Sequence, residues 1–147
     1  MKLCNIIKVT VFAKPEDNCE KIGKVFQKLF PFDFAEEKIK LKKQKTHGFN
    51  EREILVYEAD LEKDRHINAF LKQLNAKLNK AQKELLLRQD NRLDEHLNFF
   101  IRLDKPKLLK GKYALTDCGD CFHIKINIAS FPRKKEKAKE ILMEIFK

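Results

Sequence analysis

Only four glycines occur in this 147-residue chain, and they form no phosphate-cradling loop and no dinucleotide fingerprint. That excludes the nucleotide-dependent enzymes recognised by such turns. No apolar run approaches the roughly 20 residues of a membrane-spanning helix. The N-terminus opens into a strand pattern without a signal-peptide core, so a cytoplasmic protein with no membrane partner is expected. A second C-x-x-C is missing as well. Cys118-Gly119-Asp120-Cys121 stands alone, while Cys4 and Cys19 are isolated, so a four-ligand zinc site cannot be assembled from paired motifs. A reversible disulfide stays open for that pair, but a redox C-x-x-C belongs at a helix N-terminus, and this one precedes a strand pattern. A turn with two thiols is the simplest reading. His47, His66, His96 and His123 are scattered, with no nucleophile or carboxylate at a telling spacing, and no zinc-protease helix is present. No catalytic residue, metal ligand or cofactor is therefore assigned. Asp117 and Asp120 could bind a magnesium ion, although a metal-dependent nuclease usually combines more acids from several elements.

Positive charge is abundant. Lys and Arg number 32 against 22 Asp and Glu, a formal net charge of +10. Such a balance favours a polyanion partner, and RNA is the first to consider. The 37% of charged residues, with few glycines, also resembles the ion-pair-rich surfaces of thermophilic proteins.

Strand and helix patterns alternate along one domain, residues 1–147, with no repeat, linker or low-complexity segment. Leu3 to Phe12 reads as a strand. Pro15 suits the first turn of a helix whose stripe is Cys19, Ile22, Val25, Phe26 and Leu29, closed by Pro31. Glu37 to Lys45 and Glu53 to Ala59 read as a hairpin around Thr46-His47-Gly48-Phe49-Asn50. A helical region follows, capped by Asp60 or Asp64, with a break between Asn75 and Asn79. Leu97 to Asp104 is a strand, Pro106 to Gly111 a turn, and Lys112 to Ala129 a hairpin. Pro132 opens a last helix with Ala138, Ile141, Leu142 and Ile145 inside. The fold class is α+β: one antiparallel or mixed sheet with helices packed on one face.

Three features point to an anion site. In Leu97 to Asp104, the period of two sets Leu97, Phe99, Ile101 and Leu103 toward a core and Phe100 and Arg102 away from it, where a ring can stack on a base and a guanidinium can hold phosphate. The alternative is that Phe100 packs under a helix and Arg102 pairs with an acid. Along Glu37 to Lys45, Lys38, Lys40 and Lys42 share one face and suggest a phosphate track, or equally a lysine-guarded edge strand. Arg133, Lys134 and Lys135, with Lys137 and Lys139, crowd the start of the last helix against its macrodipole, which favours anions there. Lys77, Lys80, Lys83 and Arg88 read as a solvated helix face.

The order of these motifs resembles an archaeal family of small RNA-binding proteins predicted to be exosome-associated. The hairpin loop Thr46-His47-Gly48 and the strand Phe100-Ile101-Arg102-Leu103-Asp104-Lys105 carry the resemblance, which spans nearly the whole chain. The sequence departs from that family at Pro106-Lys107-Leu108 and in the C-x-x-C segment. The resemblance implies a fold similar to the ribosomal protein that binds 5S RNA and a role on RNA, with exosome or ribosomal proteins as possible partners. The expectation is a non-catalytic RNA-binding protein, an accessory factor of RNA processing, degradation or ribosome assembly. Lys38, Lys40, Lys42, His47, Phe100, Arg102, Arg133, Lys134 and Lys135 would form its contact surface. The alternatives are a protein-interaction subunit without RNA contact and a metal-dependent nuclease.

Overall fold

A computed structural model describes residues 2–47 and 52–147. Gly48, Phe49 and Asn50 of the expected hairpin loop lie outside the described residues.

Five strands form one sheet in the order β2-β3-β1-β5-β4, with every neighbouring pair antiparallel. They are β1 (Cys4–Ala13), β2 (Lys42–His47), β3 (Glu53–Leu61), β4 (Asn98–Asp104) and β5 (Cys121–Ile128). Five α-helices accompany them: α1 (Cys19–Lys28), α2 (Asp64–Lys77), α3 (Lys80–Arg88), α4 (Lys105–Leu109) and α5 (Lys135–Ile145). The sheet alternates cleanly. Ile7, Val9 and Val11 of β1, Phe99, Ile101 and Leu103 of β4, and Phe122, Ile124 and Ile126 of β5 are sealed on one face. Helical stripes cover that face: Ile22 and Phe26 from α1, Ile67, Phe70 and Leu74 from α2, Leu86 from α3, and Ala138, Ile141 and Leu142 from α5. Apart from the buried end residues Asn98 and Cys121, the other half of these strands is half-buried or exposed, as expected for an antiparallel sheet with one solvated face.

Several boundaries differ from those the sequence suggests. The strand expected over residues 37–45 begins only at Lys42. The preceding segment is a turn, in which the Asp33 carboxylate accepts from the Glu36 amide at 3.0 Å and the Ile39 amide donates to Phe34 at 2.9 Å. Lys38 sits at φ 55°, the left-handed region, which interrupts any extended run. The pull comes from Phe30 and Phe34, both buried; the Phe30 ring lies 4.7 Å from Phe34 and 5.2 Å from Phe70, which draws the chain under the helices before it can join the sheet.

The hairpin expected over residues 112–129 yields one strand, β5. Since β1 and β4 occupy both of its edges, residues 114–116 take the free edge of β4 instead, with Asp104 N to Ala114 O at 2.8 Å and Thr116 N to Arg102 O at 3.0 Å. The turn expected at residues 106–111 contains α4, capped by Asp104 and ended by Gly111 at φ 84°. Pro15 lies in a turn, and α1 starts after Asn18, whose side chain accepts from the Lys21 amide at 3.1 Å. Neither Asp60 nor Asp64 caps α2; Lys63 holds that place without a side-chain bond. The break between Asn75 and Asn79 is real, and Asn79 with Gln82 forms a capping box on α3. The last helix starts at Lys135, because the Pro132 carbonyl is already taken by the Ser130 hydroxyl at 2.6 Å and the Lys134 amide at 2.9 Å. Cys118 and Cys121 are free thiols, Cys118 exposed in the bend that precedes β5 and Cys121 buried as the first residue of that strand.

One buried charge ties the upper end of the sheet. Lys105 is 2% exposed, and its ammonium reaches the Phe12 carbonyl at 2.6 Å, Asp120 at 2.5 Å and Asp17 at 3.5 Å. It fastens the end of β1, the turn before α1 and the bend before β5 to one point.

Candidate nucleic-acid interface

The solvated face can be read row by row from the register. Arg102 lies opposite His123, His123 opposite Thr10, Thr10 opposite Glu58, and Glu58 opposite Lys42. The next row runs Phe100, Lys125, Lys8, Asp60, and the one below pairs Asn98, Asn127 and Ile6. Phe12, 47% exposed, extends the aromatic content toward the upper end. Phe100, Arg102 and Lys42 therefore share this face, but β4 and β2 are opposite edges. Four interstrand steps of about 4.8 Å put them roughly 19 Å apart.

The two halves differ in electrostatics. On the β2–β3 side, Lys42 lies 3.1 Å from Asp60 and 3.7 Å from Glu58, and Lys8 lies 3.6 Å from Glu58. Lys38, Lys40 and Lys42 do line one concavity, but Glu37, Asp60 and Glu62 line it too. This is a mixed-charge surface and not an uninterrupted phosphate track.

On the β4–β5 side, Arg102 and Lys125 meet no carboxylate within 4 Å among the described residues. Their field registers on their neighbours. Partial burial, with Arg102 and Lys125, pushes the His123 imidazole below its usual pKa and favours its neutral form. Burial also pulls the Arg92 guanidinium down, with Arg102 adding to the effect and Asp117 opposing it, although an arginine stays charged throughout. Arg92 is held by the Phe100 carbonyl at 3.2 Å and by Gln89 at 2.5 Å. The Phe100 and His123 rings lie 5.5 Å apart at 35°. Beside them a polar cleft of about 230 Å³ is lined by Asn91, Arg92, Phe100, Arg102 and Asp117. Rings accept stacked bases, and unpaired cations accept phosphates.

Below this cluster runs a chain of amides. Asn5 donates to Asn127 at 2.8 Å, Asn127 to Asn98 at 2.9 Å, and Asn98 to Asp94 at 3.3 Å. It leads to Arg133, whose guanidinium reaches the His96 carbonyl at 3.5 Å. Arg133 and Lys134 precede α5 and Lys135 is its first residue; all three are exposed. From Arg102 down to Asn98 the strand covers about 14 Å at roughly 3.4 Å per residue, so Arg133 continues the same surface.

His47 does not join it. It ends β2 five residues beyond Lys42, and the alternation gives it the face of Lys43, whose ammonium sits 5.8 Å over the Tyr57 ring on the helical side. His123, Lys125, Arg92 and Phe12 were not singled out in the sequence. The alternation of Phe122, Ile124 and Ile126 already sets His123 and Lys125 on the solvated face, whereas the approach of Arg92 depends on the turn after α3 and has no local signal. The described residues contain no group of three or more His, Cys, Asp or Glu able to hold a metal ion, and no helix long and apolar enough to cross a membrane.

A helix-backed antiparallel sheet whose open face carries rings and unpaired cations has the build of a nucleic-acid-binding α+β protein. Residues 6–128 match the protein family described as RNA binding, and the chain belongs to that family. It is 28% identical over 139 residues to RNA-binding protein PAB1135 of Pyrococcus abyssi, covering 94% of this chain and 90% of that one. An uncharacterized protein of Methanocaldococcus jannaschii, MJ0213, is 28% identical over 149 residues, covering 95% and 96%. The crystal structure of AF2318 from Archaeglobus fulgidus, a DUF54 protein, superposes with a TM-score of 0.83 at 28% identity over 100% of both chains. A DUF54 protein from Methanothermobacter thermautotrophicus shares the fold, with a TM-score of 0.79 at 23% identity over 99% of this chain and 100% of that one.

Proposed function

We propose that the protein binds RNA on the β4–β5 half of its open sheet face and holds it without cutting it. Phe100 and His123 offer ring surfaces, Arg102 and Lys125 take backbone phosphates, and Arg133, Lys134 and Lys135 extend the positive field below. The carrying observation is the contrast between the halves: lysines beside β3 are paired with Glu58 and Asp60, while the cations beside Phe100 are not paired within the described residues. Cations already matched to carboxylates release few counterions on meeting RNA, whereas unpaired ones supply the salt-dependent part of the affinity. Such a protein serves as an accessory factor of RNA processing, degradation or ribosome assembly, presenting RNA to other machinery.

Fluorescence anisotropy with single-stranded RNA across a salt series tests this. Arg102→Gln/Lys125→Gln should lower the magnitude of the log-log salt slope by about 1.4, from about 0.7 per phosphate contact on a single strand. Lys42→Gln should leave both slope and affinity close to wild type. The reverse ranking would move the site to the β2 edge. Absence of RNA binding even at low salt would leave the apolar groove of Leu86, Leu87, Leu142 and Met143, between α3 and α5, as the functional surface, with a protein partner.

A further inference from the structure

Past the end of β5, residues 129–134 turn back before α5 begins and hold up a single aromatic ring. Phe131 is 91% exposed, the most exposed of the large hydrophobic side chains among the described residues. Nothing in the core uses it. Its neighbours on both sides are fixed: Ser130 is buried and bonded to the Pro132 carbonyl, which also accepts from the Lys134 amide. The ring is thus displayed by a braced turn.

Beneath it is a pocket of about 430 Å³, within the roughly 300–1,000 Å³ of small-ligand sites. Ile128, Ala129 and Ile141 give it an apolar floor, Lys2, Arg133 and Lys137 supply charge, and no carboxylate lines it. Lys2 lies 3.8 Å from Asp64 and Lys137 3.3 Å from Glu140, both exposed pairs of the kind that hold weakly. Arg133 meets only the His96 carbonyl among the described residues. A free ring over an apolar floor, with cations on the wall, matches the two halves of a nucleotide: a flat base and an anionic phosphate. Bases inside a duplex have both faces covered by their neighbours, so only an unpaired base can lie against Phe131.

We infer that this pocket takes one unpaired nucleotide of the RNA, its base against Phe131 and its phosphate between Arg133 and the Lys2 and Lys137 ammonium groups. The inference rests on the RNA-binding reading and deepens it. The sheet would hold the strand, and the loop would select RNA with a single-stranded end or bulge. Asn5 lines the pocket and also donates to Asn127, so the pocket and the sheet face are continuous.

The test compares a blunt two-strand RNA duplex with the same duplex carrying a short 3′ or 5′ overhang that contains 2-aminopurine. Wild type should bind an overhang RNA about tenfold more tightly than the blunt one, in line with the contribution of one aromatic–base stack. The probe's fluorescence should be quenched on binding. Phe131→Ala should lose the quenching and most of the preference while keeping the blunt-duplex affinity and the salt slope; Phe131→Trp should retain both quenching and preference. Because the ring is almost wholly exposed and is not part of the hydrophobic core, the alanine variant should keep the fold. If Phe131→Ala binds and quenches like wild type, the pocket assignment is wrong while the sheet-face reading stands. If wild type binds neither RNA, both fall. Binding of wild type to phosphatidylserine vesicles that is lost in Phe131→Ala, with no discrimination between RNAs, would assign the loop to an anionic membrane surface and overturn the nucleotide site.

Discussion

Partial burial and the charges of Arg102 and Lys125 push the His123 imidazole below its ordinary pKa and bias it toward the neutral form. A phosphate placed beside those cations would offset them and favour the imidazolium. Because the free-protein pKa lies below the ordinary value and a phosphate there would raise it, RNA binding at this site would take up a proton. Affinity should therefore rise as pH is lowered from 7.5 to 5.5, by at most about one decade per pH unit for a single linked proton. Titration of RNA affinity against pH checks this, and His123→Gln should flatten the profile. A flat wild-type profile would place phosphate away from His123. Lys105 poses a different residue-scale problem, a buried ammonium satisfied by a carbonyl and two carboxylates. Lys105→Met keeps the stem but strands those acceptors, and should cost about 3 kcal/mol in urea unfolding. Burial works to raise the Asp120 pKa, but Lys105, through its hydrogen bond and charge, and Lys14 outweigh it and hold the carboxyl below its ordinary range. A depressed folded-state pKa contributes stability that is present above the unfolded value and is lost as pH falls through the folded one. The acid limb of the stability profile should accordingly shrink in Lys105→Met.

Among the elements, α5 trades stability for charge. Its N-cap, Lys134, makes no side-chain cap bond, and another lysine follows at Lys135. Lys134→Ser should add about 1 kcal/mol by supplying the missing acceptor. The same change should reduce the RNA salt slope by about 0.7, one phosphate contact on a single strand. Urea unfolding and a salt series read the two effects separately; an unchanged slope would remove Lys134 from the interface. Elements also show where local sequence signals end. The stripes of α1, α2 and α5 and the alternation in β1, β4 and β5 are direct consequences of periods 3.6 and 2, and are visible residue by residue. The start of β2 is not. Residues 37–41 alternate well enough for a strand, but the packing of Phe30 against Phe34 and the distant Phe70 goes with a turn that runs to Lys38. The route of residues 112–116 depends likewise on β5 already having two neighbours.

At the scale of the whole molecule, the candidate surface was half legible. The facing of Phe100 and Arg102 follows from alternation within one strand. Their company could not be read locally, because His123 and Lys125 arrive through β5 and Arg92 through the turn after α3. Three lysines in alternation suggested a phosphate track, but whether a lysine is free depends on its cross-strand neighbours, and Lys42 faces Glu58. The strand order has an outcome for biogenesis. β1 leads the chain yet sits at the centre, and its second neighbour is β5, whose Ile124 pairs with Val9 across most of the sequence. β4 touches the rest of the sheet only through β5. As the polypeptide leaves the ribosome, β2, β3 and β1 can assemble early, while the side that carries Phe100, Arg102, His123 and Lys125 stays unbuilt until the last strand emerges. A nascent or prematurely terminated chain lacking β5 would carry the paired lysines but no platform, so on the proposed reading its interaction with RNA would wait for β5.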